Sequence, residues 1–149
     1  MKKLFILIFL ILTGCGYDAI YSSKKNDFAI ISIELNGQNA TEKKLARNLN
    51  KLTNKKNKDK FYKLNITATK KILITSKDNK GDAKMFNMLI TTNIDVFKNS
   101  NLVSNISLAK NFSYKNTSNK FDLKQYEKNI EENLINEIIK DINLKLHSI

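Results

Sequence analysis

Tyr62-Lys63-Leu64-Asn65-Ile66-Thr67-Ala68 alternates apolar and polar side chains without a break. A period of two puts the two sets on opposite faces of a strand. The apolar set continues through Ile72 and Ile74, the polar set through Thr69 and Lys71. Lys77-Asp78-Asn79-Lys80-Gly81 then ends the run with turn residues. The period resumes with Phe86, Met88, Ile90, Ile94 and Val96 against Asn87, Thr91, Asn93 and Asp95. After a second turn, Lys98-Asn99-Ser100-Asn101, a third segment sets Leu102, Ile106, Leu108, Phe112 and Tyr114 against Val103, Asn105, Ser107, Asn111 and Ser113. Three such segments predict an antiparallel meander with one wet face. To keep both apolar sets of the first hairpin on one side, paired residue numbers must sum to an even value, as with Ile72 opposite Met88.

Outward from the meander, Phe28–Leu35 is short and β-branched and predicts a first strand, closed by Asn36-Gly37. Thr41 as N-cap and Glu42 in the first turn open a helix to about Leu52, with Leu45, Leu49 and Leu52 on its stripe. A Lys/Asn loop runs from Thr53 to Lys60. A final helix spans about Leu123 to Leu146, with Asp122 as its cap. Its stripe is Leu123, Ile130, Leu134, Ile138, Ile142 and Leu146, widened by Ile135 and Ile139. The expected fold is α+β in the order β-α-β-β-β-α. It has two layers, a four-stranded and mainly antiparallel sheet with two helices on one face.

The 149 residues allow one domain with a real core. One Cys excludes an intramolecular disulfide and a multi-Cys metal cluster, and one His leaves little for imidazole chemistry. No Gly-rich phosphate loop, nucleophile elbow or metal-ligand spacing is present. The chain is therefore expected to be no enzyme, without metal or cofactor. The net charge of +12 invites a phosphate-rich partner. Arg47, however, is the sole arginine among 26 basic residues, whereas base readout leans on arginine. Nucleic acid is the weaker expectation.

Met1-Lys2-Lys3 followed by the apolar run Leu4–Leu12 has the form of a signal peptide and is too short to span a bilayer. Leu12-Thr13-Gly14-Cys15 resembles the bacterial lipoprotein signal, in which the Cys thiol receives a diacylglycerol and the chain is cut before it. The alternative is an ordinary secretory peptide beside a free thiol. The expected organisation is a signal over 1–14, a lipidated tether over 15–27 anchored at Cys15, and one α+β domain over 28–149. Gly16, rather than Asp, after the Cys favours the outer membrane.

Cys15-Gly16-Tyr17-Asp18-Ala19-Ile20-Tyr21 looks like the mature start of the LPS-assembly lipoprotein LptE family, typically Cys-Gly-Phe/Tyr-x-Pro-Leu-Tyr. The element order over Phe28 to Leu146 is similar to that family's fold. So is Phe112-Ser113-Tyr114 leading through a polar loop to Tyr126 and the carboxylates Glu127, Glu131 and Glu132. Ala19-Ile20 departs from the usual Pro-Leu. The resemblance implies a periplasm-facing outer-membrane lipoprotein that plugs the LPS translocon β-barrel and assists lipopolysaccharide assembly. The alternative is a generic outer-membrane lipoprotein that binds peptidoglycan or other assembly machinery.

Within that reading, Lys77, Lys80 and Lys84 at the first hairpin's tip offer mobile ammonium groups to lipopolysaccharide phosphates; a solvated turn is the alternative. Lys70 lies on the otherwise apolar face, between Ala68 and Ile72. It must snorkel, find a carboxylate, or lie where the helices leave the sheet bare. Lys110 interrupts the third strand in the same way. Lys55, Lys56, Lys58 and Lys60 read as a solvated run, and Glu127, Glu131 and Glu132 as partners of the helix dipole.

Overall fold

The computed structural model describes residues 27–52 and 58–149. Cys15, the signal segment and the tether up to residue 26 lie outside the described residues, as do Lys55 and Lys56. The elements are β1 (Phe28–Leu35), α1 (Ala40–Leu52), β2 (Lys60–Lys77), β3 (Ala83–Lys98), β4 (Asn101–Lys115) and α2 (Lys120–His147). The strands lie side by side in chain order. β1 runs parallel to β2, as the crossover through α1 requires, and the other pairings are antiparallel.

The alternation decides the register. Ile72 pairs with Met88, and Leu64 with Val96, so both apolar sets fall on one face. Tyr62, Leu64, Ile66, Met88, Ile90, Ile94, Val96 and Ile106 are buried there beneath Leu45 and Leu49 of α1 and the isoleucines of α2. Each such side chain contributes about 1.5–3 kcal/mol through burial, which is where the fold's stability arises.

Three expectations are corrected. Leu102 joins the wet face, because a register irregularity next to Val96 sets it opposite Phe97. Thr41 does not cap α1. Asn39 does: its O accepts from Lys43 N, its Oδ1 accepts from Glu42 N at 3.0 Å, and its own N–H donates to Glu42 Oε2 at 3.3 Å. That is a reciprocal capping box. Asp122 does not cap α2 but sits in its first turn. Asn119 is the cap, and its side chain accepts from Phe121 N and Asp122 N.

The two hairpin turns follow local chemistry. Asn99 and Ser100 both take positive φ, which a two-residue hairpin with primed geometry requires. At the other tip, Asp78 Oδ1 accepts from Lys80 N and Asp82 N, both at 2.9 Å, and Gly81 supplies φ +88°.

Candidate functional site

The β2–β3 hairpin outruns its cover. β1 reaches only as far as Ile66, and from Thr69 to Thr75 every side chain of β2 is exposed. Ile72, Leu73 and Ile74 are 41%, 48% and 54% exposed. Ile72 and Ile74 prolong the apolar row toward the tip, while Leu73 faces the wet side. Ile72 and Ile74 thus leave a short apolar row uncovered on that face, a candidate interaction surface.

Lys77, Lys80 and Lys84 ring this projecting end, and all three are exposed. Of the two nearby carboxylates, Asp78 spends one oxygen on the turn's backbone N–H groups, and Asp82 pairs with none of the three lysines. Among the described residues none of the three lysines forms an ion pair. Between Ile74, Phe86, Lys84, Asn116 and Lys120 lies an open depression of about 820 Å³. The segment joining β4 to α2 is tied to the tip by Asn116, whose N–H donates to Lys84 O and whose Nδ2 donates to Ala83 O at 2.7 Å. Apolar side chains and unneutralised ammonium groups therefore share one edge of the molecule, the combination that an anionic amphiphile requires.

Lys70 stands apart from these three. It lies opposite Ile90, and Ile90 opposite Lys110, in one row across the helix-covered face. Each lysine has found a carboxylate of α2. Lys70 Nζ lies 3.2 Å from Glu131 Oε2, and Lys110 Nζ lies 2.8 Å from Asp141 Oδ2. Glu131 is 4% exposed and also accepts from Lys44 Nζ at 2.7 Å and Thr41 Oγ1 at 3.3 Å. One carboxylate thus joins α1, α2 and β2. Burial pushes its pKa up, but the hydrogen bonds and charges of Lys44 and Lys70 outweigh that and hold it below 4.5.

The wet face is a ladder of side-chain hydrogen bonds. Thr69 meets Thr91 at 2.7 Å, Ser107 donates to Asn93 at 2.8 Å, Asn105 to Asp95 at 2.6 Å, and Asn87 to Ser113 at 2.9 Å. Amides and hydroxyls carry further donors and acceptors beyond those used in the ladder. No group of three His, Cys, Asp or Glu side chains among the described residues is placed to hold a metal ion.

Sequence reasoning missed Glu131 as the meeting point of three elements, and Glu127 as the acceptor of the Tyr114 hydroxyl at 2.6 Å. The signal for Glu131 was its place one turn before Ile135 on the row that continues to Ile139.

No family model matches the chain, and no curated protein matches it. Solved structures do share its fold. A minor lipoprotein from Acinetobacter baumannii superposes with TM-score 0.60 at 13% identity, over 83% of this chain and 92% of that one. The rare lipoprotein B from Shewanella oneidensis gives TM-score 0.56 at 10% identity, over 78% and 94%. An uncharacterized lipoprotein B from Nitrosomonas europaea gives 0.59 at 12%, over 84% and 88%. The chain has a fold that bacterial lipoproteins carry.

Proposed function

We infer that this chain is a lipid-anchored, periplasm-facing outer-membrane protein that sits within the lipopolysaccharide translocon β-barrel and assists lipopolysaccharide assembly without catalysing a reaction. Cys15 is its lipidation site. The observation that carries the reading is the projecting hairpin, where exposed Ile72, Leu73 and Ile74 adjoin Lys77, Lys80 and Lys84. Acyl chains would meet the former and phosphates the latter. The Asn/Thr/Ser ladder suits a barrel's polar lumen. Lys70 contributes less directly, since Glu131 already holds it.

Mild-detergent purification of the tagged lipoprotein from outer membranes tests the partner. A large β-barrel recovered in near-equal amount supports the reading. Recovery alone, or with peptidoglycan-linked proteins, favours a generic envelope-binding lipoprotein instead. Lipopolysaccharide binding to the triple variant Lys77→Gln, Lys80→Gln, Lys84→Gln tests the site. Unchanged binding would remove these lysines from it.

A further inference from the structure

β4 is the outermost strand on its side of the sheet. Its main-chain groups can be assigned to one side or the other. On β2, Ile66 O accepts from Asn36 N, Ala68 N donates to Glu42 Oε1, and Ala68 O accepts from Asn39 Nδ2. Even-numbered residues of β2 therefore turn their main chain toward β1, and odd-numbered ones toward β3. Carried through the register, even-numbered residues of β3 and β4 pair with each other, and Asn116 N donating to Lys84 O agrees. Ala109, Asn111 and Ser113 are left with N–H and C=O groups aimed off the sheet's edge.

A groove of about 380 Å³ runs between this edge and α2. Its floor is Phe112, Ile130 and Leu134, and Phe112 is 45% exposed. Two polar braces frame it. Lys110 reaches Asp141 at one end, and the Tyr114 hydroxyl reaches Glu127 at the other. Because Lys110 folds over onto α2, its ammonium does not block the edge, as edge lysines often do. Asn129, Asn133 and Asn136 line the helix side.

We propose that this groove binds an extended polypeptide segment of a partner protein by strand addition to β4, seating one apolar side chain between the two braces. A strand supplies main-chain donors and acceptors to Ala109, Asn111 and Ser113. The three asparagines offer both donors and acceptors, which suits amide groups and is wasted on an acyl chain. The lining charges, Glu137 and Lys140, are one of each sign, so nothing here selects a phosphate. The span from Ala109 to Tyr114 accepts about six residues at about 3.4 Å each. The proposal is independent of the lysine-ringed tip, since Lys77, Lys80 and Lys84 do not line this groove.

The test uses the full-length lipoprotein in mild detergent and a short, end-blocked peptide with one central leucine in a Ser/Thr background. Saturable binding is expected, with amide NMR shifts at Ala109, Asn111 and Ser113. Asn111→Pro removes an outward N–H and leaves the β3 pairing intact; it should weaken binding about ten-fold. Should that variant fold poorly, the same peptide N-methylated at alternate residues makes the same test on the unaltered protein, and one of its two methylation registers should bind about ten-fold more weakly. Replacing the peptide's leucine with serine should also weaken binding. Absence of saturable binding, indifference to N-methylation in both registers, or shifts at Lys70, Ile72 and Ile74 in place of β4 would each overturn the proposal.

Discussion

Lys70, a partly exposed cation on the apolar face of β2, lies 3.2 Å from Glu131, the one carboxylate of α2 that is almost fully buried. Each explains the other's position. An ammonium on a helix-covered face needs a carboxylate, and a carboxylate at 4% exposure needs cations. Lys44 at 2.7 Å completes the set from α1.

Removing the anion should therefore hurt more than removing either cation. Glu131→Gln leaves Lys44 and Lys70 facing each other with no charge between them. It should cost about 3 kcal/mol, the lower end for breaking a buried pair, because both ammonium groups retain some access to water. Lys70→Met keeps the Lys44 contact and adds apolar surface, so it should change stability by less than about 1 kcal/mol. Urea unfolding of the two variants checks the order, and a larger loss in Lys70→Met than in Glu131→Gln would refute it.

The same carboxylate sets an acid limit. Its folded pKa is held below the ordinary value of 4.5, so the folded state favours the ionised form. The corresponding stability is fully present above the unfolded value and is lost as pH falls through the folded one. Thermal unfolding across pH 6 to about pH 3 should show a decline in the native protein that is shallower in Glu131→Gln, which has no proton to gain there. Asp27, also held low, remains in both proteins and accounts for a shared part of the slope.

Tyr114 brings a different test. Its ring is buried against Phe86 and Tyr126, and its hydroxyl donates to Glu127 at 2.6 Å. Burial, then that hydrogen bond, push the phenol far up. Tyr114→Phe keeps the ring and deletes the donor. Glu127 is only part-buried and can turn to water, so the loss should be about 1 kcal/mol, measured as a shift in denaturation midpoint at unchanged slope.

The strands, the register of the first hairpin and the apolar stripe of α2 were legible in the sequence, because period two and period 3.6 each admit one buried face. The misses lie where a side chain bonds far along the chain. Thr41 read as a cap because it precedes an apolar stripe; it donates to Glu131, ninety residues away, which no local pattern reveals. Leu102 read as core by alternation, and a single irregularity beside Val96 reversed its face. Lys70 and Lys110 were visible as interruptions. Their partners were not, since the crossing of α2 over the sheet decides which carboxylates they meet.

Asn39 and Glu42 carry the last prediction, because they finish two elements at once. Glu42 is completely buried, with Oε2 accepting from Gly37 N at 3.0 Å and Asn39 N at 3.3 Å, and Oε1 accepting from Ala68 N at 3.0 Å. Asn39 Nδ2 donates to Ala68 O at 2.8 Å. The capping box thus takes over the pairing of β2 where β1 stops. Asn39→Ala removes the cap of α1 and leaves Ala68 O without its partner, so it should cost about 2 kcal/mol, the upper part of the range for a lost cap. Asn39→Asp retains the acceptor for Glu42 N but sets a second carboxylate beside Glu42 and facing a carbonyl; it should recover little of the loss. Asn39→Ser keeps a short capping oxygen without the reach to Ala68 and should recover about half, near 1 kcal/mol. If all three variants unfold at the native midpoint in urea, the cap and the strand end are not coupled through this pair.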